Sequence, residues 1–162
     1  MTICEDRGIE PLLPELWISK IEALSRELSK EYLEPATLDR LIRLTYHLCM
    51  LAPVGRRHAG INSGQEECIE LLLDRGQPVA AAMILLGESP RLELSHGDGR
   101  TQVRVRLFNS EVEGKGAAQS LVQALLSAIV DCLTMDHLLN QAITADQVPD
   151  DRPHKFLSGS RQ

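Results

Sequence analysis

The feature that most restricts the fold is a change in the apolar period near Pro90. Upstream and downstream of the segment Pro90–Asn109, apolar residues recur three and four positions apart. Inside it, Leu92 and Leu94, then Val103, Val105 and Leu107, alternate with polar residues. A period near 3.6 belongs to amphipathic helices and a period of 2 to half-buried strands. The two alternating runs flank His96-Gly97-Asp98-Gly99, which is turn chemistry, so a β-hairpin is expected in an otherwise helical chain.

The flanking segments supply the helices. Leu13, Trp17, Ile21, Leu24 and Leu28 follow one another at four, four, three and four residues, which predicts an amphipathic helix over Pro14–Glu31 with Pro14 at its first position. A second helix is expected from about Thr37 to Leu51, and the short link through Pro35 implies a helical hairpin. A third spans about 64–75, opened by a capping box from Ser63 to Glu66 and closed at Gly76. The run Val79–Leu86 fits either a buried helix or a buried strand. Ser110–Gly114 offers a third short strand or a turn, and a long helix is expected from Ala117 to about Ile143. The resulting expectation is an α+β fold. It comprises an N-terminal helical hairpin (1–52), a Gly/Arg loop (53–63), an α+β core with a small antiparallel sheet packed by the long helix (64–143), and a mobile C-terminal tail (144–162).

Composition narrows the function classes. Five aromatic residues in 162 make an aliphatic core and argue against base-stacking platforms. A formal charge of −6 disfavours non-specific attraction to nucleic acid or anionic membranes, although the segment 53–110 is neutral while both ends are acidic. The amino terminus lacks a secretory pattern, and no stretch reads as about 20 apolar residues of a membrane helix. Cys4, Cys49, Cys68 and Cys132 form no CxxC pair. The expectation is therefore a cytoplasmic protein with reduced thiols and neither metal nor cofactor.

Candidate sites follow from charge and apolar stripes. Arg56, Arg57 and His58, before the helix start at Asn62-Ser63-Gly64, form a candidate anion site; the plain alternative is a solvated loop. Arg104 and Arg106 on the outward face of the hairpin, with Arg91 and Arg100 near the strand ends, could read an acidic peptide or a phosphate backbone, against the alternative of ordinary pairing with carboxylates such as Glu93. The stripes Trp17-Ile21-Leu24-Leu28 and Leu125-Ile129-Cys132-Leu133 are either core or partner-binding surface. No HExxH, GxSxG or glycine-rich nucleotide motif occurs, and His47 and Cys49 do not share a helix face. A non-enzymatic protein-binding module, adaptor, regulator or chaperone, acting through apolar helix faces and partnered by another protein or by itself, is the leading expectation. A nucleic-acid-associated protein using the hairpin and loop arginines is the alternative.

Two resemblances bear on these classes. The segment from about Glu70 to Leu133, with alternating Val103, Val105 and Leu107 and then Glu113-Gly114-Lys115-Gly116, resembles the helix, hairpin, strand, helix order of a double-stranded RNA-binding domain. That family opens its last helix with several lysines for phosphates, whereas here Lys115 is followed by Gly116, Ala117, Ala118, Gln119 and Ser120. In size, acidity and a hairpin followed by a long helix, the chain is also similar to type III secretion chaperones, which implies holding an unfolded segment of a secreted partner.

Overall fold

The computed structural model describes residues 9–107 and 110–146. It is an α+β fold. The order is α1 (Pro14–Leu28), α2 (Pro35–Met50), a 3-10 turn (Ser63–Gln65), α3 (Glu66–Asp74), α4 (Pro78–Ile84), β1 (Arg91–Gly97), β2 (Arg100–Arg106), β3 (Gly114–Ala118) and α5 (Leu121–Asp146). Three helices open with proline, at Pro14, Pro35 and Pro78, where the missing N–H has no intrahelical partner to lose. Pro35 thus starts α2 rather than merely interrupting the pattern. The Val79–Leu86 run is helical as far as Ile84. The cap of the 3-10 turn lies one residue before the expected one: Gly64 N–H donates to Asn62 Oδ1, and Asn62 N–H donates to Gln65 Oε1.

The sheet is antiparallel in the order β1-β2-β3. Leu92 lies opposite Val105, Leu94 opposite Val103, and Val103 and Val105 opposite Gly116 and Gly114. Asp98 and Gly99 turn the hairpin at φ +53° and +72°, the left-handed pair that matches strand twist.

The third strand falls later than expected, and α5 begins at Leu121 rather than Ala117. Gly114, Gly116 and Ala118 face α5, and no large apolar residue alternates there. The reason is spatial. A Cβ on Gly114 would overlap the Ala128 carbonyl oxygen, and one on Gly116 the Ala124 carbonyl oxygen. Strand backbone lies against helix backbone, and glycine permits the approach.

α5 is the central element, packed against β3 and β2 on one side and α1, α2 and α4 on others. Val122 to Val130 are buried except Ser127, an all-round burial expected of a core helix. By length and composition α5 is apolar enough to cross a membrane, which differs from the expectation; most of that stretch lies inside the core. The stripe Trp17, Ile21, Leu24 and Leu28 is buried too, as are Leu125, Ile129, Cys132 and Leu133. Gln123 on α5 donates to Leu28 O at 2.9 Å and Lys30 O at 2.6 Å, satisfying carbonyls left open at the end of α1. One apolar cluster includes residues from both the helical hairpin and the sheet. Of the expected tail, 144–146 end α5 and 147–162 lie outside the described residues.

Gly116→Ala is expected to destabilise the fold by about 3 kcal/mol, the upper part of the overpacking range, because the obstruction is helix backbone. Urea unfolding measures it, and a midpoint equal to wild type would refute the backbone contact.

Candidate functional site

Two surfaces collect the polar groups. The first is a cleft of about 370 Å³ between the loop Gly55–Ala59 and α5, lined among others by Arg56, Arg57, His58, Cys132, Asp136 and Asn140. Its loop wall is held in place. Arg57 donates to Met50 O at 3.0 Å, His58 Nε2 bonds Leu85 O at 2.7 Å, and Glu88 N–H donates to Ala59 O at 2.7 Å. Gly87 has φ +70°, and a Cβ there would strike the Ala59 carbonyl. The loop is therefore built into the fold and is not a solvated linker.

The opposite wall comes from residues four apart on α5, Cys132, Asp136 and Asn140, which share a helix face. Asp136 accepts from Ser110 Oγ at 3.5 Å and from Asn140 Nδ2 at 3.4 Å, both long bonds. Arg56 Nη1 donates to His137 Nδ1 at 2.6 Å. Since arginine has no acceptor to offer, His137 must be neutral with its proton on Nε2. That Nε2 is buried with no hydrogen-bond partner among the described residues, and the ring, 1% exposed, lies 5.7 Å from the Trp17 ring. Burial, reinforced by the Arg56 charge, pushes the His137 pKa down; burial also lowers that of His58.

Cys132 and His58 line the same cleft but are not an activated pair. The thiol donates to Val112 O at 3.7 Å and is held in its neutral form, chiefly by burial, while His58 is bonded through Nε2 to a carbonyl. Cys49 is buried and pushed up to about 12. Among the described residues no cluster of three or more His, Cys, Asp or Glu is placed to hold a metal.

The second surface is the outer face of the sheet. Register puts Arg91 directly opposite Arg106, Arg104 opposite Lys115, Glu93 opposite Arg104, and Arg100 opposite Gly97. Arg104 lies 3.7 Å from Glu93 and 3.8 Å from Glu113. Among the described residues Arg91, Arg100, Arg106 and Lys115 form no ion pair within 4 Å. Both sheet edges belong to short strands, yet they differ. On β3 the Lys115 N–H donates to Asp131 of α5 at 2.9 Å, while β1 carries Leu94 at 54% exposure beside Val103 at 1%.

The arginines expected on the hairpin are thus together on one face, and Arg56, Arg57 and His58 are together in one cleft. The Trp17 stripe, offered as a partner surface, is instead enclosed by the chain's own helices. Sequence reading missed Lys115, because its strand was placed too early, and Asp136, whose counterpart Arg56 is 80 positions away. The four-residue spacing of Cys132, Asp136 and Asn140 was the available clue. Comparison with protein-family models, curated proteins and solved structures finds no match.

Both cleft-side histidines have lowered folded pKa values, so the unfolded chain binds more protons at acid pH. Their stabilising contribution is complete above about pH 6.5, the ordinary histidine value, and is lost as pH falls below it. Thermal melts between about pH 7.5 and 5 should show a fall in melting temperature that is smaller in His137→Gln. Equal slopes for variant and wild type would disprove the assignment.

Proposed function

We propose that this chain is a non-enzymatic, cytoplasmic protein-binding module, an adaptor, regulator or chaperone-like protein, that takes an extended acidic segment of another protein on its sheet. The observation that carries the reading is the pair of like-charge oppositions, Arg91 with Arg106 and Arg104 with Lys115, on one exposed face. Like charges directly across a sheet are destabilising, and among the described residues only Arg104 of the five cations has carboxylates within 4 Å, Glu93 and Glu113. An acidic ligand relieves that repulsion. The β1 edge, which no other described strand pairs, adds main-chain pairing for an extended peptide, with Leu92 and Leu94 offering apolar contacts on the other face. The reading moves the contact surface from the helix stripes, which are enclosed, to the sheet.

The same cations favour a second reading, phosphate backbone binding to nucleic acid. A net charge of −6, the lack of aromatic residues on the strands and an edge useful only to a polypeptide favour the protein partner.

The test uses a peptide of alternating Glu and Val and a duplex RNA as probes. Wild type should bind the peptide more weakly as salt rises, and Arg104→Glu/Arg106→Glu should reduce affinity at least about tenfold through lost charge complementarity. Arg106→Glu alone should weaken binding yet raise stability by about 0.5 kcal/mol, since it places opposite charges across the strands. Leu94→Lys should weaken the peptide and leave any RNA binding intact. RNA binding without peptide binding would establish the second reading, and binding of neither would end both.

A further inference from the structure

Besides Arg57, whose guanidinium donates to Met50 O, the cleft beside α5 is lined by two charged groups, Arg56 and Asp136, that do not pair with each other. Arg56 has a neutral histidine for its partner, and among the described residues no carboxylate lies within 4 Å of its guanidinium. Among the described residues the Asp136 carboxylate has long bonds to Ser110 and Asn140 and no cation within that distance. Both line one cleft of about 370 Å³, with Leu107 and Leu133 as apolar lining, at the lower end of the volumes that small-molecule sites occupy. A simple anion would be drawn by Arg56 and repelled by Asp136, and a simple cation the reverse.

We propose that this cleft is a binding site for a compact zwitterion of the α-amino-acid type, its carboxylate on Arg56 and its ammonium on Asp136. The ligand completes two charge-assisted contacts that the described residues leave open, and the loop that presents Arg56 is already fastened by Met50, Leu85 and Glu88, so little ordering is required on binding. The site uses none of the sheet residues invoked for the partner segment, so its outcome is independent of that reading.

Thermal melts of the full chain with glycine, serine and leucine, each against sodium acetate and ammonium chloride at matched ionic strength, test it. At roughly ten times its dissociation constant a bound amino acid should raise the melting temperature by about 4 °C, and neither half-ligand should do so. Asp136→Asn should abolish the shift. Arg56→Gln should also abolish it; because that change removes the His137 contact, far-UV circular dichroism must first show an intact fold, and Asp136→Asn decides the matter if it does not. Acetate matching the amino acids, no amino acid giving a shift, or Asp136→Asn retaining the full shift would each overturn the site.

Discussion

The architecture depends on the direct approach of β3 to α5. With hydrogen as the side chain at Gly114 and Gly116, the strand reaches the helix backbone at Ala124 and Ala128, and the sheet is anchored at its β3 side. The helix so enclosed must be apolar around its circumference, and Leu125, Leu126, Ile129 and Val130 meet that need without aromatic bulk. The aliphatic composition and the central helix are two aspects of one packing solution: small and branched side chains fill the space around a helix that has sheet and helices on different sides.

Anchoring the sheet at β3 has a consequence at its other side. α5 covers β3 and β2, and β1 has no comparable packing against it. Val103 is therefore enclosed while Leu94, its cross-strand neighbour, stands in solvent. The β3 edge is occupied by the Asp131 carboxylate; among the described residues β1 has no such cover and is bordered on its outer face by cations. Packing at one edge and exposure at the other thus have the same cause, the off-centre position of the helix over the sheet.

How much of this was legible in the sequence depends on the range of the interaction. The Trp17-Ile21-Leu24-Leu28 stripe, the helix opening at Pro14 and the Asp98-Gly99 turn are local, and each was readable from a few neighbouring residues. β3 was misplaced because its core contacts are made by glycine and alanine, which leave no apolar alternation to detect. The Arg91–Arg106 and Arg104–Lys115 oppositions needed a strand register, and the cleft needed a loop and a helix brought together across 80 residues. Those facts arise from packing, where pattern reading does not reach.

His137 joins the core to the cleft, and its two polar contacts are opposed in sign. Leaving Nε2–H buried without an acceptor costs about 1–3 kcal/mol, while a hydrogen bond from a charged donor contributes about 1.5–3. The two nearly cancel, so stability alone would be served at least as well by a leucine packed on Trp17. What a leucine would not supply is an acceptor that holds the Arg56 guanidinium without neutralising it. A carboxylate at the same position would take the arginine's charge out of the cleft; a neutral imidazole fixes its position and leaves the charge available. The buried histidine thus has its ring in the α1–α5 core and, through Nδ1, fixes the position of the Arg56 guanidinium.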